Sequence, residues 1–80
     1  MRERKIMLTT ITDAKAFVDA STKCDFDIDV FYNRVVIDAK SILGVLSLDL
    51  TKVLTVRMHG DSREYEKFLV TLSPETVKVA

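Results

Sequence analysis

The apolar positions of this chain switch repeatedly between a two-residue and a helical spacing, and each switch marks an element. Ile6 and Leu8 alternate with polar or mixed positions, with Ile11 a marginal continuation, predicting a first strand over Lys5–Thr10. Ala14, Phe17, Val18 and Ser21 then fall at i, i+3, i+4 and i+7, the pattern of one buried helical face. Thr12 is placed to cap that helix, Asp13 puts a negative charge in its first turn, and the pattern fades by Cys24. Over Asp25–Tyr32 the period returns to two: Phe26, Ile28, Val30 and Tyr32 point one way, and Asp25, Asp27 and Asp29 the other. Asn33-Arg34 reads as a hairpin turn, because Asn tolerates positive φ, and Val35–Asp38 supplies the return strand.

A short helix is predicted over Ser41–Leu48, followed by a strand over Val53–His59 with Leu54, Val56 and Met58 facing inward. Gly60-Asp61-Ser62 breaks that strand, and Asp61 or Ser62 can cap a last helix marked by Tyr65, Phe68, Leu69 and Leu72. Ser73-Pro74 ends it, since Pro cannot continue the hydrogen-bond ladder, leaving 75–80 as a loosely docked tail. The order is β-α-β-β-α-β-α. The expected class is α+β: an open-faced sandwich with a four-stranded, mainly antiparallel sheet and three helices on one face. Residues 1–80 form a single domain, with Phe17, Val18, Ile28, Val30, Leu54, Val56, Phe68 and Leu69 in its core.

Composition narrows the function classes. Twelve basic and twelve acidic residues cancel, which gives no electrostatic case for nucleic acid or an anionic membrane. No apolar run approaches the roughly 20 residues of a membrane span. The charged start, Met1 to Lys5, leads into strand-like sequence rather than an apolar signal core. A cytoplasmic location is expected. Cys24 is the single cysteine, so no internal disulfide forms, and its expected role is that of a small residue closing a helix. Asp25, Asp27 and Asp29 imitate the start of a calcium loop, but Val30 and Val36 stand where the essential Gly and Glu belong. No metal or cofactor is expected.

Two features of the Ser41–Leu48 segment stand out. Ser41 is a natural N-cap, which by itself accounts for a serine there. The helix behind it, however, carries Ile42, Leu43, Val45, Leu46 and Leu48 around most of its circumference, more than one buried face uses. Either all five are core or part of them is an interaction surface.

The run Asp38-Ala39-Lys40-Ser41-Ile42-Leu43-Gly44-Val45-Leu46-Ser47-Leu48 closely resembles the regulatory segment of HPr, the small phosphocarrier of the bacterial sugar phosphotransferase system. The resemblance extends in element order from about Ile6 to Leu72. It implies an HPr-like fold, a serine-phosphorylation site at Ser41, and a docking patch made by Lys40, Ile42, Leu43 and Leu46, with Val45 and Leu48 on the buried side. Gly44 would let a partner approach closely.

The HPr phosphohistidine sits in a His-Ala-Arg-Pro loop before the first helix. The matching stretch here is Thr9-Thr10-Ile11-Thr12-Asp13-Ala14-Lys15, without histidine, arginine or proline and several residues short. HPr relatives without the histidine act as serine-phosphorylated regulators. The resemblance therefore implies a non-enzymatic regulatory module whose Ser41–Leu48 helix binds a protein partner, such as HPr kinase or a transcriptional regulator. Some such regulators exchange their first strand, so a monomer or a strand-swapped dimer is expected. Two other readings stay open: an unconventional phosphocarrier using Thr12 or His59, and a stand-alone domain for an unrelated ligand.

Overall fold

The computed structural model describes residues 2–77, and side chains as far as Glu75. Its elements are β1 (Arg2–Ile6), α1 (Ile11–Thr22), β2 (Ile28–Tyr32), β3 (Val35–Asp38), α2 (Ile42–Leu46), β4 (Leu54–Met58), α3 (Arg63–Thr71) and α4 (Pro74–Val77). The strands form one sheet in the order β1-β4-β2-β3, every neighbouring pair antiparallel. Ile28, Val30, Leu54, Val56 and Met58 from its inner face meet Phe17, Val18, Tyr65 and Leu69 from the helices in one buried core. This is the expected α+β open-faced sandwich, with α4 as an added short turn of helix.

The first strand lies earlier than the apolar alternation predicts. Ile6 is its last residue, and Leu8, though fully buried, belongs to the loop beyond. The charged run Arg2–Lys5 forms the strand because pairing with β4 needs only backbone groups. Arg2 and Arg4, opposite Met58 and Val56, reach Glu66 on α3 instead of filling the core. The sheet edge is thereby charged (Arg2, Glu3, Arg4, Lys5), a pattern that discourages pairing with another strand.

The first helix also starts earlier, and Thr10 rather than Thr12 is its cap. The Asp13 N–H donates to Thr10 Oγ1 at 3.0 Å, while the Asp13 carboxylate accepts from the Thr9 N–H at 3.2 Å and the Thr9 hydroxyl at 2.8 Å. This variant of the capping box, with the carboxylate bound to Thr9 instead of the N-cap N–H, fixes the helix start, and Thr12 sits exposed in the first turn. The buried face is Ala14, Phe17, Val18 and Ser21, as the spacing predicts.

At the far end of the sheet, Asn33-Arg34 forms the two-residue turn of the β2–β3 hairpin, with Asn33 at φ 55°. Ser62 caps α3, its Oγ accepting from the Tyr65 N–H. Two further expectations change. Phe68 is only partly buried, and Tyr65 takes the deep position. Pro74 opens α4, where its missing N–H costs nothing, so part of the segment expected as a tail is helical. Residues 78–80 of that tail lie outside the described residues.

Candidate functional site

Ser41 occupies the boundary between β3 and α2. Its backbone is extended (φ −106°, ψ 109°), its N–H donates to the Asp38 carbonyl, and its Oγ accepts from the Gly44 N–H at 3.1 Å. The cap expected from the sequence is therefore present, and Ser41 is half-buried. Asp38 shapes the approach to it, with Oδ1 accepting from the Lys40 N–H at 2.9 Å.

The five apolar side chains of this segment divide sharply. Val45 and Leu48 are buried in the core. Leu43 is 81% exposed and Leu46 37% exposed, while Ile42 is half-buried against the core edge. Ile42 and Leu46 lie four residues apart and Leu43 and Leu46 three, so the outward residues share one helical flank. Leu43 and Leu46, with the edge of Ile42, thus form a small contiguous apolar strip, the kind of surface that suits docking better than an isolated exposed leucine does.

Lys40 is engaged within the fold. Its Nζ donates to the Cys24 carbonyl at 2.9 Å, a contact that ties the end of α1 to the start of α2. Gly44 likewise serves the fold: a Cβ built there would lie 2.6 Å from Ile37 Cγ2, so the missing side chain makes room for β3 beneath the helix. Both roles depend on how separate segments pack in the fold, and neither is visible in the local pattern. Cys24 itself is half-buried. Burial pushes its thiol up, Lys40 opposes that and Asp25 adds to it, so the thiolate is disfavoured.

Thr12 and His59 are not brought together. Thr12 lies at the start of α1 in the helical layer. His59 continues the alternation of Thr55 and Arg57 onto the opposite, open face of the sheet. There its Nε2 is 3.0 Å from Asp29 Oδ2. The same face carries Arg57, which is ion-paired with Glu3 at 2.9 Å and stacked 4.8 Å over the Phe31 ring. The loop between β1 and α1 is Met7–Thr10, whose threonine side chains serve the capping box. Among the described residues, no group of three His, Cys, Asp or Glu is arranged to hold a metal ion. No described helix is long and apolar enough to cross a membrane.

A four-stranded antiparallel sheet in the order β1-β4-β2-β3 with its helices on one side is an HPr-like arrangement, here with Ser41 capping a short apolar helix. Among solved structures, the chain matches the crystal structure of HPr-C-His from Thermoanaerobacter tengcongensis with a TM-score of 0.76. The two are 27% identical, and the match covers 100% of this chain and 99% of that one. No protein-family model matches the chain, and no curated protein does.

Proposed function

We propose that this chain is an HPr-like regulatory module without phosphohistidine chemistry, controlled by phosphorylation of Ser41 and docking a protein partner through Ile42, Leu43 and Leu46. The observation that carries the reading is the outward flank of α2, where Leu43 is almost wholly exposed two residues after the half-buried capping serine. The full-length likeness to an HPr structure supports the family assignment. A kinase would transfer the γ-phosphoryl group of ATP to Ser41 Oγ, with loss of the hydroxyl proton and release of ADP. The phosphate oxygens could keep the cap contact with the Gly44 N–H while adding roughly −1.5 to −2 charge beside the apolar flank. That charge favours a partner surface bearing arginine and repels an acidic one, so phosphorylation selects between partners. Lys40, whose Nζ donates to the Cys24 carbonyl, orients the segment beside that flank.

The phosphocarrier alternative has less support. No described base is positioned against Thr12, and the His59 ring is engaged with Asp29 on the face away from the helices. Two phosphoryl donors distinguish the readings. Labelled ATP with HPr kinase should modify the protein, and labelled phosphoenolpyruvate with Enzyme I should not. Label from phosphoenolpyruvate, lost in Thr12→Ala or His59→Ala, would establish the carrier reading instead.

A further inference from the structure

We propose that a second copy of this chain docks along the free edge of β3, joining the two sheets into one across a two-fold axis at Val36. β1 and β3 are the two edges of the sheet. The β1 edge is charged at four successive positions, whereas β3 reads Val35-Val36-Ile37 before its first charge, with Val35 51% and Val36 57% exposed. A bare apolar edge of this kind is a template for another strand.

The hydrogen-bond parity of the hairpin shows what that edge offers. Tyr32 and Val35 close a two-residue turn, so they form a mutually bonded pair, and bonded pairs alternate along the ladder. The Ala39 N–H donating to the Ile28 carbonyl at 2.9 Å continues the same parity. Val35, Ile37 and Ala39 therefore turn their peptide groups toward β2. Val36 turns its N–H and C=O outward, where no described residue meets them.

An antiparallel copy centred on Val36 is self-complementary. Val36 meets Val36 of the second copy, and Val35 meets its Ile37 on the helical side. Arg34, the turn residue just before β3, comes level with its Asp38, and symmetry makes each of the last two contacts twice. The charge match answers a need left within one chain. Asp29 and Asp38 are directly opposite each other across β2 and β3, an unfavourable arrangement for like charges. Asp29 is 3.0 Å from the His59 ring, but no described cationic side chain reaches Asp38, and Arg34 has no described ion pair. In the dimer, Arg34 of the second copy extends the row Glu3, Arg57, Asp29, Asp38 by the missing cation.

Sedimentation velocity and native mass spectrometry on the purified chain, taken into the millimolar range, test this. The parent should show a dimer population that rises with concentration. Arg34→Asp alone and Asp38→Arg alone each place like charges opposite one another twice, and each should weaken the dimer by roughly tenfold or more. Mixing the two variants restores both attractive pairs, so a heterodimer should form with about the parental affinity. Val36→Pro removes only an outward N–H from an edge strand, and should abolish the dimer while keeping the parental circular-dichroism spectrum. If Asp38→Arg does not fold, Arg34→Asp and Val36→Pro decide the matter. A parent that stays monomeric throughout overturns the proposal. So does a dimer indifferent to these variants, as exchange of β1 would give.

Discussion

The Tyr65 hydroxyl lies 2.7 Å from Ser21 Oγ in the buried core, joining α3 to α1 across 44 residues of sequence. Ser21 also donates to the Phe17 carbonyl at 2.8 Å, so both hydroxyls are satisfied inside apolar surroundings. Burial holds the Tyr65 phenol far above its ordinary range, against the favourable Ser21 hydrogen bond, which keeps it neutral at any physiological pH. Tyr65→Phe keeps the ring and removes the hydroxyl. It should lower stability by about 1 kcal/mol in urea denaturation, because Ser21 retains the Phe17 carbonyl. An unchanged midpoint would mean that this contact does not hold the two helices together.

Gly44 and Ile37 are coupled in the same way between α2 and β3. Gly→Ala within a helix ordinarily gains roughly 0.8–1 kcal/mol. Here Gly44→Ala should be destabilising, because the new Cβ meets Ile37 Cγ2 at 2.6 Å and a β-branched side chain has little freedom to move away. Ile37→Ala in the same chain should recover much of that loss. Thermal melts of the four members of this double-mutant cycle measure the coupling, and additive effects would contradict the packing described.

Phe17 and Phe68 have similar helical spacing but unequal depth. Phe17 is fully buried, and Phe17→Ala should cost about 3–5 kcal/mol, enough to unfold a small domain at growth temperature. Phe68 is partly exposed beside Tyr65, with ring centroids 6.5 Å apart, and Phe68→Ala should leave a cooperative melt. Equal losses in the two variants would contradict this difference in burial.

That inequality shows how far the residue pattern carries. Alternation and helical spacing identify the layers, the hairpin at Asn33 and the buried face of α1, because each depends on neighbours a few residues apart. Depth within a face depends on the element packed above it, so Tyr65 and Phe68 look alike until α1 is placed. The true start of α1 was legible in the Thr10-Ile11-Thr12-Asp13 spacing, a capping box that competes with the Thr12-Asp13 reading. The charged β1 was not, since its pairing uses backbone groups and its arginines answer to Glu66, more than 60 residues away. In the candidate site, the N-cap role of Ser41 was legible locally. The contact of Lys40 with Cys24 was not.

Glu66 couples the β1 edge to α3 and makes that contact sensitive to acid. The Arg4 guanidinium hydrogen bond chiefly holds its carboxyl below the ordinary glutamate range, with Arg2 assisting against partial desolvation. A carboxyl whose folded pKa is depressed contributes stability above its unfolded pKa and loses it as pH falls through the folded value. Glu66→Gln should therefore be less stable than the parent near neutral pH and converge with it in acid. The difference should shrink in high salt, as expected for charges at the surface. Parallel denaturation curves from neutral to acidic pH would show the convergence, and a constant gap would contradict the ion-pair assignment.

The central claim is that Ser41 receives a phosphoryl group from ATP beside an exposed docking flank. Tandem mass spectrometry after incubation with ATP and HPr kinase, from an organism that encodes this chain, locates the modification directly. The prediction is a single phosphate on Ser41, absent in Ser41→Ala, formed at least about tenfold more slowly in Leu43→Ser, and leaving the circular-dichroism spectrum unchanged. An unmodified Ser41, with authentic HPr phosphorylated in the same experiment, would contradict the account.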